Sequence, residues 1–151
     1  MIIRKAEVED AQTLKALHDR SAMALCRQDY TAEQLEEWVK FSTVERYQER
    51  LKKHRTFMAE IDGKGVGFVR WNPATNELCS LFVDPNHIRQ GIATQLMKRA
   101  YQDVISKGVE ELWLYSSLTA VPFYEKDGWI FVEQTRRGSL ECVRMEKSVA
   151  T

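Results

Sequence analysis

The chain has 151 residues, of which 44% are apolar and 29% charged, so it is long enough for one well-packed domain and short for two. Its 22 basic and 22 acidic side chains give a formal net charge of zero, which argues against a nucleic-acid partner or an anionic membrane surface. No stretch has the apolar length of a signal peptide or a bilayer span, and three cysteines without C-x-x-C spacing favour neither disulfides nor a zinc site. We therefore expect one cytoplasmic domain over residues 1–151, with buried thiols and no membrane association.

The first third of the chain predicts a strand, a long helix and two short helices. Residues 2–6 alternate as a strand does, and residues 7–26 carry apolar side chains near helical spacing. Capping boxes at Thr31–Gln34 and Ser42–Glu45 predict that a short helix begins at each, because each pair of side chains can satisfy free N–H groups of a first helical turn.

The period of the pattern then changes from helical to alternating. Residues 56–61 and 66–71 are β-rich segments on either side of the turn Asp62–Gly65. A second turn, Pro73–Asn76, leads into a third strand at 77–83. These segments predict an antiparallel meander.

The last part of the chain predicts a helix after Gly91 and a strand at 109–115, which should run parallel to the strand before it because a helix separates the two. Gly108 can take the left-handed conformation that ends the helix. A short helix at 120–126 and a hairpin over 129–146 complete the chain. The order predicts an α/β fold with a mixed, mostly antiparallel central sheet of about seven strands and helices on both faces.

The segment Leu81–Met97 reads as a strand, a tight polar loop and the start of an amphipathic helix. Gly91 would let a bulky anion approach backbone N–H groups at the positive end of the helix dipole, while Arg89 adds a charge and Thr94 a hydroxyl. The loop lacks the Gly-Lys-Ser/Thr of a P-loop and the third glycine of a dinucleotide fingerprint. A glycine that only makes the turn fits the same residues, so the loop alone leaves an anion site and a simple turn both open.

Two segments together resemble the acetyl-CoA core of the GNAT superfamily of N-acetyltransferases. They are Leu81–Leu96, which contains the loop, and Ala120–Trp129, which contains Phe-Tyr-Glu-Lys-Asp-Gly about thirty residues further on. The predicted strand order is similar to the GNAT fold over nearly the whole chain. The resemblance implies an acetyl-CoA-dependent enzyme, without a metal, in which a primary amine attacks the acetyl group directly in a ternary complex.

The resemblance also implies where acetyl-CoA binds. In the family the loop amides hold the CoA pyrophosphate, and the pantetheine arm pairs with the preceding strand like an added β-strand. Ile88 departs from the Gln or Arg that begins the family's loop pattern, and Ser117 stands where the family often has Asn. The implied cofactor-binding residues are Leu81, Phe82, Val83, Arg89, Gln90, Gly91, Ile92, Ala93, Thr94, Ser117 and Tyr124.

An amine attacks a thioester only as the free base, so the reaction needs a proton acceptor, and the departing thiolate benefits from a proton donor. Tyr124 matches the family's proton donor. Glu77 lies fourteen residues before Gly91, the spacing at which some members place a catalytic glutamate. A histidine, His18 or His54, or a water molecule is the alternative base. Plain packing for Tyr124 and a solvated surface position for Glu77 are the competing interpretations.

The acceptor side is predicted to come from the early helices, where aromatic residues cluster, together with the meander. Tyr30, Trp38 and Trp71 are the predicted substrate-binding residues, and nearby acids would attract an ammonium group. Those acids are Asp29, Glu33 and Glu37. The same aromatics suit a hydrophobic core, so the acceptor, a small-molecule or peptide amine, stays unidentified.

Two further questions stay open at this point. A non-catalytic acyl-CoA-binding sensor, or an interaction module on the same fold, is the competing function. A homodimer through the closing hairpin or a sheet edge, which is common in the family, is an expectation of the resemblance, and acyl groups other than acetyl remain possible donors.

Overall fold

The computed structural model describes residues 1–150, apart from the side chain of Leu25, and over these residues the chain forms one seven-stranded sheet and five α-helices. The strands are β1 (Ile2–Lys5), β2 (Arg55–Ile61), β3 (Lys64–Asn72), β4 (Glu77–Val83), β5 (Glu111–Ser117), β6 (Ile130–Arg137) and β7 (Leu140–Ser148). The helices are α1 (Ala11–Leu25), α2 (Ala32–Phe41), α3 (Val44–Lys53), α4 (Ile92–Ser106) and α5 (Val121–Lys126). No helix within the described residues combines the length and apolar character needed to cross a membrane.

The sheet has the order β1-β2-β3-β4-β5-β7-β6, and every described neighbouring pair is antiparallel except β4 and β5. The predicted mixed, mostly antiparallel sheet with its single parallel step is confirmed. β5 begins two residues later than predicted, because Val109 still bonds to the last turn of α4. Gly108 is left-handed at φ 76°, and the Val109 N–H donates to the Val104 carbonyl at 3.2 Å.

The two predicted capping boxes have different outcomes. Thr31 and Gln34 form the predicted reciprocal box, with the Gln34 N–H donating to Thr31 Oγ1 at 3.1 Å. The box at Ser42–Glu45 is wrong, because Thr43 is the residue before α3 and its Oγ1 accepts from the Arg46 N–H at 3.1 Å. Ser42 is buried at the end of α2 instead.

Helices cover both faces of the sheet. On one face, α1 and α3 enclose a small core, exemplified by Leu14, Tyr47 and Phe68. On the other, α4 covers a larger core that includes Trp71 and Leu96 and extends to α5. Adjacent strand residues point to opposite faces, so the side chain of each β3 and β4 residue belongs to one face only.

The parallel pair β4–β5 is joined at only one position, Glu77 opposite Trp113. Just beyond it β4 carries an extra residue, Cys79, since Arg70 of β3 faces Ser80 while Trp71 faces Leu78. β5 continues in register with β7, but within residues 1–150 the β5-facing side of the rest of β4 has no strand partner. The splay opens a slot through the middle of the sheet.

The outer strand β6 leaves three consecutive apolar side chains in solvent. Ile130 is 70% exposed, Phe131 54% and Val132 43%. Of the three cysteines, Cys26 and Cys142 are buried as predicted, whereas Cys79 is half-buried beside the slot.

Candidate functional site

The loop after β4 is fixed by Asp84. One carboxylate oxygen of Asp84 accepts from the Asn86 N–H at 2.9 Å, and the other accepts from Arg20 of α1 at 2.8 Å. Partial burial raises the pKa of Asp84, but these two hydrogen bonds outweigh it and hold the pKa below its ordinary value. Sequence reasoning missed this pair, although an Asp directly before Pro is a signal for such a turn.

Gly91 turns the loop into α4. Its φ of 78° is left-handed, which favours glycine, and Arg89 also has a positive φ of 62°. The Gln95 N–H donates to the Gly91 carbonyl at 3.1 Å, and Gly91 has no side chain to cap the turn. The N–H groups of Ile92, Ala93 and Thr94 therefore have no partner within the helix and are available to an anion.

A cavity of about 390 Å³, which we call the loop cleft, lies against this loop and the free side of β4. It is lined by every sequence-predicted cofactor-binding residue except Gln90, which is exposed. Those lining residues are Leu81, Phe82, Val83, Arg89, Gly91, Ile92, Ala93, Thr94, Ser117 and Tyr124. The loop cleft thus combines an apolar slot with an anion-binding helix start.

A second cavity of about 340 Å³, which we call the arginine cleft, carries three arginines: Arg50, Arg70 and Arg137. Glu77 is the one carboxylate that lines it among the described residues. Both clefts are lined by Trp38, Leu81, Phe82, Ser117, Ala120 and Tyr124. The two cavities therefore meet at the splay between β4 and β5.

Tyr124 stands at this meeting point. Its side chain is 7% exposed and packs edge-on against Phe123 and Trp129, with ring centroids 5.4 and 5.8 Å away. Within residues 1–150 its hydroxyl has no hydrogen-bond partner, whereas the hydroxyl of the partly buried Tyr101 donates to Asp127 and accepts from Trp129. Burial raises the pKa of Tyr124, so the phenol stays protonated and can donate its proton.

Glu77, the first residue of β4, is half-buried in the arginine cleft. Burial raises the pKa of its carboxyl above the ordinary value, and the positive charge of Arg137 and Arg70 opposes that rise. A carboxylate with a raised pKa is a stronger base at neutral pH than an exposed one. This placement suits proton acceptance.

The two predicted alternative bases, His18 and His54, both line the arginine cleft. His18 is 2% exposed, neither ring nitrogen has a hydrogen-bond partner among the described residues, and burial lowers its pKa to about 3. Burial and Arg70 lower the pKa of His54 to about 4, and its Nδ1 lies 2.6 Å from Arg70 Nη1. The lowered pKa values make both imidazoles neutral and weakly basic, so they suit proton acceptance less well than Glu77 does.

Of the three predicted substrate-binding aromatics, Tyr30 and Trp38 come together, with ring centroids 6.1 Å apart, whereas Trp71 lies elsewhere. Trp38 lines both clefts, but Tyr30 lines neither: its hydroxyl donates to the Glu141 carbonyl at 2.6 Å and accepts from the Leu118 N–H at 2.8 Å. The expectation for Trp71 is corrected, because this fully buried residue points to the α4 face and donates to Asp103 at 2.8 Å. Strand alternation sends its neighbour Arg70, rather than Trp71, into the cleft.

The three predicted acids also lie outside the arginine cleft. Asp29 accepts from the Thr119 hydroxyl and Glu37 from the Ser139 hydroxyl, both at 2.6 Å, and Glu33 is exposed on α2. Three arginines and one carboxylate, Glu77, line the cleft, so positive charge predominates. The available signal in the sequence was Arg70, a single charge inside the apolar run Val66–Trp71.

Comparison with known proteins gives consistent matches. The chain matches the family model described as Acetyltransferase (GNAT) domain over residues 26–149. It is 32% identical over 140 residues to an uncharacterised N-acetyltransferase, YafP, of Escherichia coli, covering 93% of this chain and 86% of the relative. A crystal structure of a GCN5-related N-acetyltransferase from Rhodopseudomonas palustris is 25% identical, with a TM-score of 0.91 and coverage of 97% of this chain and 94% of that one. The PaiA N-acetyltransferase of Thermoplasma acidophilum, solved in complex with coenzyme A, is 25% identical, with a TM-score of 0.85 and coverage of 97% and 98%.

Proposed function

The chain belongs to the GNAT family of N-acetyltransferases, and from this premise we propose that it transfers the acetyl group of acetyl-CoA directly to a primary amine in a ternary complex. The observation that carries the proposal is the meeting of the loop cleft and the arginine cleft at Tyr124. Two substrates that enter from opposite sides of the splay would bring their reacting atoms together there, which converts a bimolecular reaction into one between prepositioned groups.

In this proposal acetyl-CoA occupies the loop cleft. The free N–H groups of Ile92, Ala93 and Thr94 and the charge of Arg89 bind the pyrophosphate. The unpaired side of β4 binds the pantetheine arm through the backbone of Leu81 and Val83, as an added strand would. The largely apolar lining of the slot suits the pantetheine chain and explains why the cleft needs little charge beyond the loop.

The reaction then needs three contributions from the protein. Glu77 accepts the proton of the acceptor amine, directly or through water. The backbone N–H of Val83 faces the negative charge that develops on the thioester oxygen. Tyr124 donates its proton to the departing sulfur: burial keeps the phenol protonated, and its hydroxyl has no hydrogen-bond partner among the described residues.

Direct attack is supported by the state of the cysteines. Burial raises the pKa of Cys26, Cys79 and Cys142, and Cys79, which lines the arginine cleft, reaches about 11. The thiolate is the nucleophilic form of cysteine, and at neutral pH these side chains are thiols. A covalent acetyl-cysteine enzyme is therefore unfavourable here.

The test is a measurement of thiol release from acetyl-CoA with a panel of amines: polyamines, amino acids, aminoglycosides, aromatic amines and peptide amino termini. With an active acceptor, initial rates at varied concentrations of both substrates should give intersecting double-reciprocal lines. Parallel lines would contradict the ternary complex. CoA binding without any amine-dependent thiol release would contradict catalysis and favour an acyl-CoA-binding sensor.

We also propose that the protein forms a homodimer along β6. The consecutive exposure of Ile130, Phe131 and Val132 on an outer strand supports this arrangement, since such an edge pairs readily with a second strand. Phe131→Lys should turn a dimer into a monomer in sedimentation or light-scattering measurements. A wild-type monomer at all concentrations would contradict the proposal.

A further inference from the structure

The arginine cleft carries an excess of positive charge that the protein itself does not neutralise. Three guanidinium groups and one carboxylate line it. Within the described residues Arg50, Arg70 and Arg137 form no ion pair, although other arginines do, such as Arg4 with Asp10 and Arg55 with Asp103. The cleft is therefore built to meet negative charge from outside the chain.

Arg70 is the centre of this charge. It is 6% exposed, its Nη2 donates to Ser80 Oγ at 3.0 Å, and its Nη1 lies 2.6 Å from His54 Nδ1. Its Nε has no hydrogen-bond partner among residues 1–150. Ser80 and His54 are neutral, so they orient the guanidinium without balancing its charge. Burying an arginine without a counter-charge is costly, and a bound anion removes that cost.

Arg50 and Arg137 reach the same cavity from other elements. Arg50 comes from α3, with its guanidinium carbon 5.2 Å from the centre of the Tyr47 ring, and Arg137 comes from the end of β6, 5.0 Å from the centre of the Tyr115 ring. The rings support the flat faces of both guanidinium groups and leave their N–H edges available to an anion.

These arginines are separate from the predicted pyrophosphate site. None of the three lines the loop cleft, which has its own anion site at Gly91 and Arg89. Glu77 offsets only part of their charge: the arginines act on its carboxyl, but it is one carboxylate against three guanidinium groups and forms no ion pair with them among the described residues. A second anionic group must therefore come from the other substrate.

We propose that the acceptor is an amine that also carries an anionic group, a carboxylate or a phosphate, which Arg70, Arg50 and Arg137 bind while the amine faces Glu77 and Tyr124. This inference rests on the proposed function and specifies its acceptor. The same positive charge disfavours the ammonium form of the acceptor, so it also promotes the free amine that attacks. A polycationic acceptor would be repelled.

The test compares acceptors that differ only in the anionic group. The pairs are β-alanine with β-alaninamide, phenylalanine with phenylalaninamide, and O-phosphoethanolamine with ethanolamine, with spermidine as the cationic acceptor. In each pair that the enzyme acetylates, the anionic member should have a kcat/KM about tenfold or more above that of its neutral partner. This is the range of a charge-assisted hydrogen bond. The carboxylate and phosphate arms show which anion the cleft prefers.

Variants assign the preference to the arginines. Arg137→Gln should lower the anionic-to-neutral ratio of kcat/KM about tenfold, by raising the KM of the anionic acceptor. The matched control is Arg136→Gln, which should leave the ratio unchanged because Arg136 pairs with Glu141 in solvent. Arg70→Gln should have the larger effect, and Arg50→Gln provides a second test if the buried variant does not fold. CoA affinity should be the same in all of them.

The outcomes separate the two proposals. Preferred acetylation of neutral or polycationic amines, or an unchanged ratio in Arg137→Gln and Arg50→Gln, would overturn the anionic acceptor while the transferase activity stands. A third outcome is that no amine is acetylated, yet N-acetyl-β-alanine raises the melting temperature of the CoA complex more than its amide does, and Arg137→Gln removes that difference. This result would contradict the proposed function and support anion recognition by the arginine cleft.

Discussion

The loop cleft and the arginine cleft meet at Tyr124, yet they are built from the chain in different ways. The loop cleft takes its anion site from one contiguous segment, in which the free helix-start amides follow Gly91 directly. The arginine cleft takes one arginine each from α3, β3 and β6, and its charge exists only when these elements pack together. Under the proposed function, cofactor recognition is therefore local, whereas acceptor recognition is a property of the whole fold.

The local character of the loop cleft is tested most strongly at Gly91. Gly91→Glu should lower CoA affinity about a thousandfold, because it places a carboxylate where the phosphates bind and strains a left-handed residue. Calorimetric titration with CoA measures the change. Gly63→Glu is the matched control, since Gly63 has nearly the same φ, 76°, and an equally open surrounding, but lies in the β2–β3 turn. Equal affinities of the Gly91 variant and wild type would show that the phosphates bind elsewhere.

Tyr124 tests the point at which the two clefts meet. Tyr124→Phe should lower kcat about a hundredfold or more, the range of general acid catalysis, with CoA affinity nearly unchanged. Tyr101→Phe is the control: its hydroxyl bonds to Asp127 and Trp129, so its loss should lower stability by about 1 kcal/mol and leave kcat intact. A Tyr124→Phe enzyme with full turnover would mean that another group protonates the sulfur.

Glu77 tests whether the arginine cleft supplies the group that accepts the proton of the amine. The activity of the wild type should fall as the pH decreases through the raised pKa of this carboxyl, because the base is then protonated. Glu77→Gln should lower kcat by about tenfold to a hundredfold and remove that acidic limb. If the Glu77→Gln enzyme still loses activity at low pH, another group is the base. The control is Glu111→Gln, at an exposed position of β5, which should leave the pH profile unchanged.

His18, which lines the arginine cleft, should make the stability of the folded protein sensitive to acid. Because burial lowers its pKa from 6.5 to about 3, the folded state resists protonation that the unfolded chain accepts. Stability should be full above pH 6.5 and decline as the pH falls towards 3, by about 2 kcal/mol at about pH 5. Urea unfolding at about pH 7.5 and pH 5 measures this, and His18→Met should reduce the difference. An equal loss in His18→Met would assign the acid sensitivity to other groups.

The starts of α2 and α3 give the smallest effects. Thr31→Ala and Thr43→Ala should each lower the free energy of unfolding by about 1 kcal/mol, since each hydroxyl caps a helix. Ser42→Ala should cost less, because no capping bond to Ser42 is present among the described residues. A larger loss at Ser42 than at Thr43 would reverse the assignment of the cap.

The sequence predicted the fold because helix and strand periods and turn residues are local patterns, read within a few residues. The residues of the loop cleft, Tyr124 included, came from the resemblance to the GNAT superfamily, because the loop alone left an anion site and a simple turn both open. The fold class and its parallel step at β4–β5 followed from element order.

The arginine cleft was beyond such reasoning because its residues meet only through packing. The β4 bulge and strand alternation decide that Arg70, not Trp71, enters the cleft, and no local pattern fixes the face of a buried strand that is apolar on both sides. The acids expected there instead bond to Thr119 and Ser139, distant in sequence. Ser42 has a glutamate three residues later and Thr43 does not, yet both are good N-cap residues, and the fold places Thr43 rather than Ser42 before α3.

The most direct test of the account is a crystal structure of the protein with bound CoA. We expect the pyrophosphate on the first turn of α4, against the N–H groups of Ile92–Thr94, the pantetheine arm along β4, and the sulfur beside the Tyr124 hydroxyl. The arginine cleft should remain free for an acceptor. A pyrophosphate bound by Arg50, Arg70 and Arg137 would contradict both the assignment of the loop cleft to CoA and the anionic acceptor.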